Sequence, residues 1–435
     1  MNSKTMKYFS SKSDHGDRYV FPFIMVTSLF FFWGFIHNLD PILIPHLKKA
    51  FTLTDLETAF VDFSVFIAYF AMALPAGNFT RKFGYKSGII VGLCLFAIGS
   101  FLFLPAANTC QYIFFLGALF VIACGLTFLE TAANPYVTIL GKPKTAPQRL
   151  NFSQSFNGLA AFLAPVIGGH FILSGNSVTD AKLKAMDESA RKTYLLAQAE
   201  SVKGPYLTVG LIIIVITVIF IFIKLPDIQQ EKAESKSSTI KDALAHKHLN
   251  WAIVAQFFYV GAQVCVLSFF VRFVTASTGV NDIEASWYSG AAGLAFMIGR
   301  FAGTFFMQFL QPNRLLMLYA AICVLLSCIA IYAQGTLIVY ALIGIAFFMS
   351  VMFPTIFSMG IAELGKDTKI GSSLIVMSIV GGAILPLAFG YISDITGNIR
   401  YGYIVPGTCF FMVFIYAWKK WKPVLNEGAL NINTR

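Results

Sequence analysis

Long apolar runs repeat along the whole chain at a length that suits a lipid bilayer. About twenty residues, at 1.5 Å per residue, are needed for a helix to cross a hydrocarbon core of roughly 30 Å. Short polar segments separate runs of this length, so the pattern predicts an all-α membrane protein. The twelve predicted spans lie near residues 20–47, 57–80, 86–107, 112–140, 151–174, 205–224, 249–274, 286–310, 314–333, 336–361, 371–395 and 400–419.

A charged, polar stretch after the sixth run divides the chain into two halves. It runs over residues 225–248, between predicted six-helix bundles at 20–224 and 249–420. Residues 1–19 and 421–435 are predicted to be tails outside the membrane. Two such halves are the usual build of secondary transporters, which bind substrate between them near the bilayer midplane.

Composition supports a membrane protein and locates its positive charge. Of 435 residues, 57% are hydrophobic and 12% are charged, whereas soluble domains carry about 25% charge. The net charge of +11 is concentrated in alternate loops. By the positive-inside rule these loops, and with them both termini, are predicted to be cytoplasmic. The charge is therefore read as a topology signal, and no nucleic-acid partner is expected.

No pattern of catalytic or metal-binding residues is evident in the chain. The seven cysteines lie mostly in apolar runs and lack the spacing of metal ligands, so neither a metal site nor a disulfide framework is expected. No Walker A motif is present, which argues against ATP as the energy source. The polar residues 1–18 do not have the pattern of a signal peptide. We therefore expect a protein that is not an enzyme and needs no cofactor other than a coupling proton.

Glu130 lies deep within the fourth apolar run. A carboxylate facing lipid costs roughly 2.5–3.5 kcal/mol or more, so it needs a partner, a wet cavity or a bound proton. A carboxylate that exchanges a proton is what a proton-driven carrier requires. The alternative is a structural role, either a pair with Arg300 or Lys142 or a hydrogen bond to a neighbouring helix. Asn134 and Pro135 follow one turn later and predict a break in the helix.

Two further acids lie near the predicted outer face. Asp40 precedes Pro41 towards the end of the first run, and the proline is predicted to kink or break that helix. Asp62 is about five residues into the second run, at a similar depth. The two carboxylates could share a wet vestibule and assist proton coupling. Alternatively, Asp40 caps its helix and Asp62 reaches interfacial water.

Amide side chains recur at helical spacing on two of the predicted spans. Gln154 and Asn157 share a face of the fifth, and Gln256, Tyr259 and Gln263 share a face of the seventh. Amides both donate and accept hydrogen bonds, as sugar hydroxyls do, which indicates a neutral polyhydroxylated substrate. Amides also join membrane helices, and that reading stays open for each of them. The predicted substrate-binding residues are Trp33, Asn38, Gln154, Asn157, Tyr259, Gln263 and Phe353.

The segment 77–86 between the second and third spans resembles a loop of the major facilitator superfamily. That loop has the pattern G-x-x-x-D-R-x-G-R-R, and here Thr80 stands where the acid is usual. The resemblance implies a role in gating on the cytoplasmic side; the alternative is a plain basic turn. The predicted gating residues are Gly77, Arg81, Lys82, Gly84 and Arg300.

Three longer strings resemble the fucose–proton symporter family of that superfamily, and also glucose/galactose transporters. They are LETAANPYVT at 129–138, FYVGAQ at 258–263, and PTIFSMG at 354–360 with GKDTKIGSS at 365–373. The resemblance implies that Glu130 takes part in proton coupling and sugar recognition. The acid that the family carries in its first helix aligns with Pro41, one residue after Asp40, and a tyrosine that contacts sugar aligns with Phe353. Asp40, Asp62 or Glu130 alone therefore remain as alternatives for the coupling site.

The expected function is proton-coupled symport of a monosaccharide by alternating access. The resemblance favours L-fucose, with glucose, galactose or an N-acetylhexosamine as the alternative. A drug/proton antiporter and a transporter-like sugar sensor are the other classes considered. The amide-rich interior disfavours the antiporter, and the short tails disfavour the sensor. We expect a monomer in the bacterial inner membrane, with the sugar and the lipid bilayer as its partners.

Overall fold

A computed structural model describes residues 14–37, 55–109, 111–172, 203–223, 225 and 239–419. Within these ranges every regular element is a helix. The first half contributes α1 (Asp14–His37), α2 (Asp55–Thr109), α3 (Tyr112–Ile139), α4 (Ala146–Ile172) and α5 (Lys203–Phe222). The linker contributes the short helix α6 (Ile240–Leu244). The second half contributes α7 (Lys247–Ser268), α8 (Phe270–Thr278), α9 (Asp282–Phe306), α10 (Pro312–Tyr332), α11 (Thr336–Met349), α12 (Met352–Gly360), α13 (Thr368–Met377), α14 (Gly381–Thr396) and α15 (Ile404–Trp418).

Helix α2 is twice the usual length because it contains two limbs. Its 55 residues are interrupted at Gly84, whose φ of 86° and ψ of 167° are not helical. Glycine adopts this backbone without the steric cost that a Cβ would bring. The two limbs on either side of Gly84 correspond to the second and third predicted spans. The segment 77–86, predicted as a loop, is therefore helical on both sides of a single glycine.

Membrane-crossing capacity is spread through the described part of the chain. Eight of its helical stretches are long and apolar enough to span a bilayer, and one of them, Phe63–Thr109, has 47 residues. At 1.5 Å per residue that stretch is about 70 Å long, enough for two crossings. The chain is thus a multi-pass membrane protein, while the number of twelve spans stays a prediction.

The positions of helix breaks differ from those that the sequence predicts. The break predicted near Asn134 and Pro135 is wrong, since α3 runs through Pro135 to Ile139. A membrane helix tolerates proline when another group satisfies the carbonyl that the proline leaves free, and the next subsection identifies that group. Three predicted spans are instead each divided into two helices. The span at 249–274 forms α7 and α8, and the span at 336–361 forms α11 and α12. The span at 371–395 forms α13 and α14, which a 3₁₀ turn at Ser378–Val380 separates.

Small residues bring α2 and α3 together in the first half. A Cβ on Gly92 would lie 2.9 Å from the carbonyl oxygen of Gly125, and one on Gly125 would lie 2.6 Å from that of Gly92. Larger side chains at either position would separate the helices. Such close approach of backbones is how membrane helices gain packing energy without a hydrophobic driving force.

The predicted linker 225–248 contains the short helix α6. Thr239 caps it: its hydroxyl accepts from the N–H of Asp242, whose carboxylate accepts from the N–H of Thr239. Hydrogen bonds from the hydroxyl and the N–H of Thr239 hold the pKa of the Asp242 carboxyl below its ordinary value. The next residues tie the second half together, because His246 Nε2 lies 3.1 Å from Asp367 Oδ2, just before α13.

Candidate functional site

Glu130 lies on α3, at the boundary between the two halves. Its Oε1 accepts a 2.9 Å hydrogen bond from the hydroxyl of Tyr69 on α2. Its Oε2 is buried and has no hydrogen-bond partner within the described ranges, although the residue as a whole is partly exposed. A buried carboxylate oxygen without a partner is costly. This carboxylate is therefore suited to taking up a proton or a ligand donor.

The amide face of α4 lies next to α3 and α1. Gln154 is buried, and its Nε2 donates to Oδ1 of Asn134 at 3.2 Å. Asn157, one turn further along α4, is partly exposed and contacts α1, where a Cβ on Gly34 would lie 2.6 Å from its Nδ2. The predicted pair Gln154 and Asn157 thus lies within one turn of α4, beside Asn134, which is one turn from Glu130 on α3.

Arg300 on α9 reaches from the second half into the first. Its Nη1 donates to both the backbone oxygen and Oε1 of Gln154, and its Nε donates to the carbonyl of Ser350 at 3.0 Å. The guanidinium lies 4.7 Å from the ring centre of Phe296, within cation–π range. The predicted alternative in which Glu130 and Arg300 form a direct ion pair is not what the structure shows. They interact electrostatically, but Oε2 of Glu130 has no partner among the described residues.

Two prolines free the carbonyl groups that join these elements. A proline has no N–H to donate to the carbonyl four residues earlier. Pro135 thereby frees the carbonyl of Thr131, which accepts from the hydroxyl of Ser372 in the second half at 3.2 Å. Pro354 frees the carbonyl of Ser350, which accepts from Arg300. The hydrogen bond from Ser372 explains how α3 continues through Pro135.

The second half contributes an aromatic and amide face from α7 and α12. Tyr259 is fully buried, and its ring centre lies 6.4 Å from that of Phe353, which is partly exposed. Gln263 is partly exposed on the same face of α7. Gln256 is fully buried, and neither polar atom of its amide has a partner in the described part of the protein. Buried amides left in this way are commonly satisfied by water or a ligand.

The two halves close against each other at the bend of α2. The residues that meet there, here called the Gly77 cluster, are Gly77, Tyr85, Lys369 and Ser373. An added Cβ on Gly77 would lie 1.7 Å from Oγ and 2.8 Å from Cβ of Ser373. Lys369 Nζ lies 4.8 Å from the ring centre of Tyr85. The loop pattern of the superfamily has an acid at the position of Thr80, which here is uncharged and fully buried. A cation–π contact and close backbone approach hold this side together.

We expect Tyr85→Leu to weaken the Gly77 cluster, because leucine has no ring face to attract the Lys369 ammonium. A cation–π contact is worth about 0.5–2 kcal/mol, so the equilibrium between the closed and open forms of this side should shift about 2- to 30-fold. Tyr85→Phe keeps the ring and is the matched control. Cysteine cross-linking between the two halves at this side measures the shift. Equal cross-linking in both variants would contradict a role for the ring.

The other predicted site residues are placed as follows. Asn38 and Asp40 lie outside the described residues; Asp62 lies on the first limb of α2, but its side chain is not described. Trp33 is buried on α1 with its ring centre 4.1 Å from that of Phe30. Lys82 Nζ lies over the ring of Phe83 at 5.1 Å. Arg81 is exposed beside it.

Several residues of the site are absent from the sequence-based set. Tyr69 donates a hydrogen bond to Glu130, Asn134 accepts one from Gln154, and Ser372 donates one to the freed carbonyl of Thr131. Of these residues, Asn134 could have been found from the sequence, since it is an amide one turn from a carboxylate in a membrane span. For metals, no group of three or more His, Cys, Asp or Glu side chains able to hold an ion occurs in the described ranges.

The chain matches proteins whose family and structure are known. Residues 23–369 match the model of the Major Facilitator Superfamily. The chain is 38% identical to the L-fucose-proton symporter of Escherichia coli K12, over 95% of this chain and 97% of that protein. It is 40% identical to a glucose/galactose transporter of Brucella abortus, over 94% and 95%.

A solved structure agrees with these matches. The crystal structure of the major facilitator transporter FucP in the outward conformation is similar with a TM-score of 0.87 and 38% identity. The likeness covers 93% of this chain and all of the other. Proteins of this group are multi-pass proteins of the bacterial inner membrane. The chain belongs to the major facilitator superfamily, within its family of fucose–proton symporters.

Proposed function

We propose that the protein carries a monosaccharide into the cell together with a proton, by alternating access. The observation that carries this proposal is the state of the Glu130 carboxylate. One of its oxygens is held by Tyr69, and the other is buried without a partner in the described part of the chain. Protonation removes the cost of keeping that carboxylate charged in a dry interior. A carrier that moves with the proton bound therefore couples sugar entry to proton entry.

The proposed sugar is L-fucose, and the alternative within the same family is glucose or galactose. The relatives named above include an L-fucose-proton symporter and a glucose/galactose transporter at nearly the same identity. The proposed contacts are the amides Gln154, Asn157 and Gln263 and the hydroxyl of Tyr259, with Trp33 and Phe353 offering ring faces. Asn38 is proposed to join them, and Asp40 or Asp62 to assist Glu130.

The conformation fits one end of an alternating-access cycle. The Gly77 cluster and the contacts of Arg300 with Gln154 join the halves on the side that the loop charges predict to be cytoplasmic. We propose that this side is the closed gate, and that the site opens to the outside. The similar FucP structure is described as outward. The proposed gate residues are Gly77, Arg81, Lys82, Gly84 and Arg300.

The remaining features of the proposal follow from the transporter class. The relatives are transporters, and we propose that this chain likewise catalyses no reaction and uses no cofactor beyond the proton. Its partners would be the sugar and the lipid bilayer, and we propose that it works as a monomer.

Transport by proteoliposomes tests this function. The protein is reconstituted, a proton gradient directed inward is imposed, and uptake of L-fucose, D-galactose, D-glucose and N-acetylglucosamine is compared. We expect uphill accumulation of one of the first three, abolished by a protonophore, with alkalinisation outside when that sugar is added. Accumulation that is insensitive to the protonophore would contradict proton coupling. No uptake of any sugar would contradict the substrate class.

A further inference from the structure

We infer that Asn134 is a positioning residue for Glu130, oriented across the interface by Arg300 through Gln154. The inference rests on the proposed proton-coupled transport. It deepens that proposal by naming the groups through which contact between the halves reaches the carboxylate. The argument follows the hydrogen bonds from the second half to the first, one residue at a time.

The first step fixes the orientation of Arg300. Its Nε donates to the Ser350 carbonyl that Pro354 leaves free, and the face of the guanidinium is held by Phe296. A guanidinium is planar, so fixing Nε also fixes the direction of the other N–H groups. Nη1 consequently points across the interface at Gln154, which lies in the first half.

The second step fixes the amide orientations of Gln154 and Asn134. An arginine can only donate, so the atom of Gln154 that faces it must be the acceptor Oε1. The Nε2 of Gln154 is then left as a donor and faces Asn134, which must accept with Oδ1. The orientation of both amides therefore follows from the chemistry of Arg300. It leaves the Nδ2 donor of Asn134 free, and this atom has no partner in the described ranges.

The third step brings that donor to Glu130. Asn134 follows Glu130 by four residues on α3, which places both on one face, one turn apart. Side chains on a helix lean towards its N-terminus, so Asn134 leans towards Glu130. The free donor Nδ2 and the free acceptor Oε2 are both buried. They are complementary, and a direct hydrogen bond or one through a single water would satisfy both.

The consequence is that closure of the halves is linked to the environment of the proton carrier. When Arg300 leaves Gln154, nothing in the chain of contacts dictates which atom Asn134 turns towards Glu130. The charged groups and titratable side chains that the described residues bring to Glu130 are Tyr69 and Arg300. Tyr69 lies in the same half as Glu130 and stays beside it when the halves separate. Arg300 leaves with the second half, which removes its own attraction for Glu130 and also the contact that orients Gln154 and, through it, Asn134.

The test separates coupling from sugar exchange. Asn134→Leu replaces the amide by an apolar side chain of similar branched shape, which removes both the Nδ2 donor and the Oδ1 acceptor of Gln154; Ser153→Ala is the matched control. Ser153 is a buried polar neighbour of Gln154 that bonds to Thr27 at 2.8 Å, outside the chain of contacts. Each variant is measured for sugar counterflow at equal acidic pH, for proton-driven accumulation, and for thermal stability in detergent.

We expect Asn134→Leu to keep the rate of counterflow within about 3-fold of that of the unmodified protein, because a protonated Glu130 needs no donor. Accumulation should fall by ~10-fold or more, which is the effect of losing one hydrogen bond to a charged group. Ser153→Ala should change neither. Arg300→Lys, which keeps the charge but loses the fork, should give the same split, and the double variant should be no worse than either single one. Should leucine prevent folding, Asn134→Ser applies the same measurement with a smaller side chain and a milder expected loss.

Parallel loss of counterflow and accumulation would overturn the inference, because a merely structural residue affects both. Unchanged accumulation in the Asn134 variant, or multiplying losses in the double variant, would also overturn it. Failure of the proposed function looks different, since the unmodified protein would then show no proton-driven accumulation at all.

Discussion

Replacement of Glu130 by glutamine is expected to abolish proton-driven accumulation of sugar while sugar exchange continues. Glutamine has the shape of a protonated glutamate and cannot lose a proton. One charge moving across 100 mV supplies about 2.3 kcal/mol, and 1.4 kcal/mol is tenfold in a concentration ratio, so one proton supports about 40-fold accumulation. In Glu130→Gln this ratio should fall to about 1. Uptake under an imposed potential and sugar counterflow, both in proteoliposomes, measure the two activities.

A matched acid shows whether the effect belongs to this site. Glu284 is an exposed carboxylate near the start of α9, where it accepts from the hydroxyl of Tyr288. Glu284→Gln removes a carboxylate without touching the interface between the halves, and its accumulation ratio should equal that of the unmodified protein. Persistent uphill uptake in Glu130→Gln would exclude Glu130 as the coupling acid and direct attention to Asp40 and Asp62. Loss of counterflow as well would mean that Glu130 is needed for sugar binding itself.

The apolar pattern predicts much of the architecture because each membrane helix must satisfy its own backbone. Length and hydropathy therefore locate α3, α5 and α10 to within a few residues. The all-helical class and the family are confirmed. Breaks are harder to predict, because they depend on partners distant in sequence. Pro135 lies within a continuous helix since Ser372 bonds the carbonyl it frees, whereas the chain divides at Ser350 and Val351 before Pro354.

The site shows the same limit. Glu130, Gln154 and Arg300 are evident in the sequence, because charged or amide side chains in apolar runs are conspicuous. Their partners are less so. Tyr69 is one of 17 tyrosines, and only the packing of α2 against α3 shows that its hydroxyl meets Glu130. The sequence also suggested a direct Glu130–Arg300 pair as an alternative, whereas in the structure the guanidinium of Arg300 donates its hydrogen bonds to Ser350 and Gln154.

Gly77→Ala is expected to open the Gly77 cluster and slow transport. Rotating the Ser373 hydroxyl away does not relieve the clash, because Cβ of Ser373 would still lie 2.8 Å from the added methyl group. Overpacking of this kind costs about 1–3 kcal/mol, so the ratio of closed to open protein on this side should fall by roughly 5- to 150-fold. Spin labels are placed at Phe83 and Lys366 in a background without native cysteines. Double electron–electron resonance should then show longer distances between the two labels in Gly77→Ala than in the unmodified protein.

Graded rescue and a matched glycine distinguish this clash from a general effect of alanine. In Gly77→Ala/Ser373→Gly the nearest remaining atom among those facing position 77 is the carbonyl oxygen of Lys369, 3.1 Å away. The double variant should therefore recover most of the short distances and of the transport rate. Gly290→Ala on α9, where an added Cβ meets nothing within 4 Å, should behave as the unmodified protein. If Gly77→Ala leaves the distances unchanged, close packing at Gly77 does not set the conformational equilibrium, and the other contacts between the halves, those of Lys369 with Tyr85, Arg300 with Gln154 and Ser372 with Thr131, must hold this side.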